Sequence, residues 1–174
     1  MFERVTVALI FSIVFSSYSF AENKSFGNWI VGETKSSHYA VTTNESSSLI
    51  GVYCFPNNGN CFWHLGLDSS CTIGDRYPVL LNTDIGSYQL SITCSEKIDA
   101  TSYLYVFSDF EEIDAPMRKA SKAGFALPLQ SDQFRVIRFN LEGSSQAIAT
   151  MGANIAKKSK AKELSTQTKK DEVL

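Results

Sequence analysis

Residues 48–68 read SLIGVYC, then FPNNGN, then CFWHLGLD. Two runs rich in β-branched and aromatic residues flank a polar break that contains Asn58-Gly59, the dipeptide best suited to the positive φ angles of a tight turn. This is the pattern of a β-hairpin. If Cys54 faces Cys61, then Val52 faces Trp63 and Ile50 faces Leu65, all on one side of the ribbon. The other side carries Tyr53 with Phe62 and Gly51 with His64. One register therefore gathers both sulfurs and most of the apolar bulk on a single face, which fixes the alignment of the strands. It also favours a local Cys54–Cys61 bridge and leaves Cys71 and Cys94 as the second pair. The intervals between the cysteines are too long for a zinc knuckle and only His38 and His64 could help, so disulfides rather than a metal are expected.

The same period-two reasoning extends outward. Tyr77–Asn82 and Ser87–Cys94 flank Thr-Asp-Ile-Gly and predict a second hairpin. In its return strand Tyr88, Leu90, Ile92 and Cys94 alternate with polar residues and face the core. Thr101–Phe107 is apolar on both faces and predicts a central strand. From Asp114 to Gly124 an Asp cap, an early Pro and a terminal Gly predict a short helix. Phe125–Leu129 and Gln133–Leu141 follow as strands. A last helix opens at Gly143-Ser144-Ser145 with Ala147, Ile148, Met151 and Ile155 at helical spacing. The expected fold is mainly β: an antiparallel β-sandwich or barrel-like domain with one or two short C-terminal helices.

Both ends of the chain read differently from this body. After Arg4, the run VTVALIFSIVF is only 11 residues long, well short of the ~20 that cross a bilayer. Ser19 and Ala21 then occupy the small-residue positions of a cleavage site, so residues 1–21 read as a signal peptide. Residues 22–156 form the expected single disulfide-containing β-rich domain, with 9 Lys plus Arg against 14 Asp plus Glu. An acidic body argues against nucleic acid as a partner, because phosphate binding needs clustered basic residues. Residues 157–174 hold 6 Lys against 3 acids and no apolar face, and read as a disordered Lys-rich tail. No transmembrane segment is expected once the signal is cleaved. The implied location is periplasmic or secreted.

No catalytic motif is legible: there is no G-x-S-x-G, H-E-x-x-H, P-loop or dinucleotide-binding glycine run. No cofactor and no metal is called for, and no residue is assigned a catalytic role. The acids Asp109, Glu111, Glu112 and Asp114 sit around a helix start, where capping explains them. Two features remain as candidate binding elements. One is the hairpin tip, Phe55, Pro56, Asn57, Asn58, Gly59 and Asn60, which a Cys54–Cys61 bridge would hold rigid and so lower the entropy lost on binding. The other is an aromatic patch of Tyr53, Phe62 and His64 on the face opposite Trp63, with His64 expected at the surface. His38 is expected in a polar loop.

Two stretches carry a family resemblance. Phe26-Gly-Asn-Trp29-Ile-Val31, near the mature start, resembles the opening strand of the invasion-associated locus B family. Gly124, the run from Phe134 to Gly143 and the helix with Ala147 are similar to that family's closing strand and helix. The family's cysteine shortly after the opening tryptophan is replaced here by Gly32 and Glu33. The resemblance implies a β-sandwich-like periplasmic or surface protein of a Gram-negative bacterium, linked to host-cell association, with no catalytic residues to carry over.

The leading expectation is thus an exported, non-enzymatic binding protein of the bacterial envelope or medium that contacts a protein or cell-surface partner and is invasion-associated. An inhibitor of a lysozyme-type periplasmic enzyme is the second reading, with the stapled tip as the inserting element. A small exported hydrolase is the third, and it would need His64 or the acidic cluster to line a cleft.

Overall fold

The computed structural model describes residues 23–128 and 134–171. The candidate signal peptide lies outside them. The strands are β1 (Lys24–Phe26), β2 (Trp29–Glu33), β3 (His38–Thr43), β4 (Leu49–Phe55), β5 (Asn60–Asp68), β6 (Arg76–Thr83), β7 (Gly86–Lys97), β8 (Ser102–Phe107), β9 (Lys122–Pro128) and β10 (Phe134–Asn140). Helix α1 (Phe110–Lys119) follows β8, and α2 (Ser144–Asp171) follows β10. All strand pairs are antiparallel, in one ten-stranded sheet of order β1-β2-β3-β4-β5-β8-β7-β6-β9-β10. The sheet curls: the Asn44 side chain, just after β3, donates to the Arg138 carbonyl of β10 at 3.1 Å.

The predicted hairpin is present in the expected register, with Cys54 opposite Cys61, Val52 opposite Trp63 and Ile50 opposite Leu65. Both expected disulfides are formed, Cys54–Cys61 and Cys71–Cys94. The second hairpin pairs β6 with β7, and β8 is central, between β5 and β7. Alternation in every strand sends one set of side chains inward, where Trp29, Trp63, Phe125, Ile50, Leu65 and Leu81 are fully buried. Trp29 and Trp63 meet edge to face, with ring centroids 6.3 Å apart. α1 contributes Ile113 and Met117 to this core, and the start of α2 contributes Ala147, Ile148 and Met151. Two glycines seat the opening of α2 on the β1–β2 turn. Gly143 (φ 90°) lies so close to the Phe26 carbonyl that a Cβ would overlap it, and Gly27 (φ 57°) abuts the Glu142 carbonyl in the same way.

Two helix expectations are corrected. α1 starts four residues before Asp114: its N-cap is Asp109, whose side chain accepts from the Glu112 N–H. Pro116 therefore lies inside α1 rather than in its first turn, and Gly124 belongs to β9 instead of closing the helix. Asp114 is held elsewhere, accepting from the buried Trp63 indole at 3.1 Å and from Arg118 one turn on. α2 continues to Asp171, so residues 157–171 are helical where the sequence suggests a disordered tail. The distal part begins exposed, and Lys158 ties it back by pairing with Glu33 of β2 at 2.6 Å. Among the described residues no helix is long and apolar enough to cross a membrane.

Candidate binding surface

The outer face of the sheet, away from the core, carries the candidate residues. On β4 and β5 the alternation that buries Val52 and Trp63 turns Tyr53, Phe55, Phe62 and His64 the other way. Tyr53 stands opposite Phe62 and also opposite Tyr39 of β3. The rings form a continuous strip: Tyr39 to Tyr53 at 5.8 Å, Tyr53 to His64 at 4.9 Å, His64 to Phe62 at 6.4 Å and Phe62 to Phe55 at 6.3 Å. These distances fall in the range of favourable aromatic contacts. The structure thus brings together Tyr53, Phe62 and His64 and joins Phe55 to them. Phe55 is half-buried against Phe62, so the exposed aromatic surface here belongs to Phe62, at 39%.

His64 is not the surface histidine that was expected. It is 8% exposed, covered by the edge of Tyr53. Its Nδ1 lies 3.1 Å from the Phe62 carbonyl, which can only accept, so Nδ1 carries the proton and Nε2 is the unprotonated nitrogen of the neutral ring. Burial lowers its pKa from the ordinary value near 6.5, against weaker opposing effects of the Phe62 carbonyl and Glu96. Burial likewise raises the Tyr53 pKa, helped by Tyr39, and keeps that hydroxyl protonated. His38 is also buried rather than in a loop. It opens β3 on the core side, 3.5 Å from Glu33, with its pKa lowered chiefly by burial and by nearby Lys158.

The tip beyond the strip is fixed at both levels of its backbone. The Cys54–Cys61 bridge joins the last inward-facing pair, whose Cα atoms are 4.0 Å apart. Beyond it the Phe55 carbonyl accepts from the N–H of Asn58 and of Gly59, and the Asn58 side chain accepts from the Asn60 N–H. Gly59 takes the turn's positive φ of 73°. Pro56 to Asn60 are all exposed.

The strip continues past β5. His64, Val106, Thr93 and Arg76 are successive partners across β5, β8, β7 and β6. A shallow cavity of about 320 Å³ opens beside them, lined by Phe62, Arg76, Thr93, Val106, Ser108 and Phe110. The surface therefore offers aromatic area, one exposed guanidinium and hydroxyl groups. Tyr39, Arg76 and Thr93 escaped the sequence reading because they reach the strip only through strand pairing. For Tyr39 and Thr93 the clue was an outward position on a strand; for Arg76 there was none.

The acidic cluster is occupied structurally: Asp109 caps α1, Glu111 and Glu112 sit in its first turn, and Asp114 holds Trp63 and Arg118. Among the described residues no group of three or more His, Cys, Asp or Glu side chains is arranged to hold a metal ion.

No protein-family model matches the chain, and no curated protein matches it either. The fold is similar to the crystal structure of invasion associated protein B from Bartonella henselae, with a TM-score of 0.56 and 15% sequence identity. The alignment covers 76% of this chain and 97% of that one, so the likeness extends over the whole of the other domain and lies in the fold.

Proposed function

We propose that the protein is an exported, non-enzymatic binding protein that engages a protein or cell-surface partner through the aromatic strip and the stapled hairpin tip. The observation that carries this reading is the strip itself: five neighbouring rings on the solvent side of the sheet, with Phe62 exposed beside a disulfide-held loop. Large aromatic anchors next to a rigid rim recur where binding energy concentrates, since little side-chain or loop freedom is lost on contact. Two disulfides suit an oxidising compartment, and the signal-like residues 1–21 supply a route to it. Likeness to an invasion-associated protein supports a host-cell surface as the partner and membership of that family as the origin of the fold. The test uses fluorescently labelled protein on cultured animal cells, read by flow cytometry. Phe62→Glu, whose fold is checked by circular dichroism, should lower bound protein at least tenfold. Unchanged binding by a folded Phe62→Glu variant would refute the strip as the contact surface.

The exposed Pro56–Asn60 tip also favours a second reading, inhibition of a lysozyme-type enzyme by loop insertion. Slowed lysis of a cell-wall suspension by the native protein, relieved on replacing residues 56–59, would select it. Lysozyme running at full rate in excess protein would discard it.

A further inference from the structure

The outermost strand, β10, offers a second and independent feature. It ends the sheet with seven residues, and among the described residues no strand pairs with its far side. The opposite edge is protected, because β1 has three residues and α2 packs on it. A long, open edge is a template for another strand unless something blocks it.

Two bonds show which way the backbone groups of β10 point. The Leu141 N–H, just past its end, reaches the Ser121 carbonyl on the β9 side. The Arg138 carbonyl accepts the Asn44 side chain from the opposite side. Direction alternates along a strand, so the N–H and C=O groups of Val136, Arg138 and Asn140 all face outward. They meet a cleft of about 520 Å³, whose far wall is formed by Asn28, residues 43–46 and Ser48. Asn44 is aimed across it because its Oδ1 accepts the N–H groups of Ser46 and Ser48. Its amide nitrogen then bonds Arg138 as the N–H of a neighbouring strand would. A strand added to β10 therefore takes the place of the Asn44 amide on the Arg138 carbonyl, and the turn that carries Asn44 must give way to admit it.

The side chains around the edge add chemical preference. Phe134 and Val136 are 68% and 45% exposed, and Val136 continues through Ala126 to the exposed Leu80 in the row across β9 and β6. Arg138 lines the cleft with one acid, Glu45, while the Arg135 guanidinium is turned to the Asp68 carbonyl at 2.7 Å. We infer that this cleft takes one extended peptide segment of a protein partner, which adds to β10 as a further strand with apolar side chains beside Phe134 and Val136 and an acidic one beside Arg138. This mode draws affinity from the main chain and specificity from alternate side chains. It stands or falls separately from the aromatic strip.

The probe is a fluorescein-labelled heptapeptide, Thr-Glu-Thr-Val-Thr-Val-Thr, whose glutamate and two valines share one face of an extended strand and meet Arg138, Val136 and Phe134 in antiparallel register. Anisotropy should rise saturably with native protein. In amide NMR spectra Val136, Arg138 and Asn140 should shift more than Ile137 and Phe139. Val136→Pro removes an outward N–H while leaving the β9 ladder intact, and should weaken binding at least tenfold. The same loss is expected with native protein when the probe's central valine is replaced by proline, which keeps the test valid should the protein variant fail to fold. No anisotropy change at millimolar protein, or shifts confined to other strands, would overturn the inference. So would a concentration-dependent dimer in sedimentation velocity that Val136→Pro abolishes, since the edge would then belong to a second copy.

Discussion

Asp114 illustrates how one side chain can satisfy two demands at once. Trp63 is fully buried, and its indole N–H has found the Asp114 carboxylate, which also accepts from Arg118. Asp114→Ala leaves that N–H buried without its partner, which costs about 1–3 kcal/mol. Urea denaturation should show this loss, and the same substitution in a Trp63→Phe background should cost clearly less. His64 and His38 give a second prediction. Both have pKa values lowered below the ordinary 6.5, chiefly by burial, so the folded state favours the neutral rings and the unfolded chain binds more protons on acidification. Their contribution is complete above the unfolded value and is lost as pH falls through it toward the folded values. Stability should therefore decline between about pH 7 and pH 5, before most carboxylates titrate. The Asp84 and Asp99 carboxylates, held low by hydrogen bonds from Ser121 and from the Thr101 and Ser102 backbone, act only in more acid solution. His64→Asn should make the decline shallower; a slope identical to that of the native protein would show that His64 takes no part.

The two hairpins carry the disulfide prediction. Cys54–Cys61 spans a separation of 7 residues and Cys71–Cys94 one of 23. Chain entropy gives about 2.5 kcal/mol for the shorter loop and about 3.4 kcal/mol for the longer one. Replacing Cys71 and Cys94 together by Ala should thus lower stability more than replacing Cys54 and Cys61, by a margin that chemical denaturation resolves. The first bridge should matter more for partner binding, because it stiffens the tip. These hairpins were legible in the sequence because inward and outward residues alternate strictly and Asn58-Gly59 marks one turn. α1 was harder: Asp109 and Asp114 both suit an N-cap, and Pro116 suits an early helical position, so only the Asp109 bond to Glu112 decides the start. The distal half of α2 was not legible at all. From Lys157 on, nothing apolar repeats, and its one described tie to the body is a lysine reaching Glu33 of a distant strand.

At the scale of the whole molecule, the mainly β antiparallel fold followed from the sequence but the strand order did not. β8 inserts between β5 and β7, and β9 pairs with β6, through contacts that no local pattern announces. The burial of His64 and the cleft beside β10 depend on that order and on the curl that brings Asn44 to Arg138, so both were beyond a reading of single strands. The order of the cysteines has the opposite character. Each cysteine is bonded to its immediate neighbour along the chain, first with second and third with fourth. A chain entering an oxidising compartment from either end therefore presents each thiol with its proper partner before any competitor arrives. No wrong bond has to be undone by exchange, a step that takes seconds to hours. Protein exported from one end should carry both native pairs in full yield with or without a disulfide isomerase, as read by non-reducing peptide mapping, whereas the complete reduced chain, with all four thiols present at once, should refold faster with the isomerase. Assembly of the covalent framework is in this sense proofread by arrival time alone.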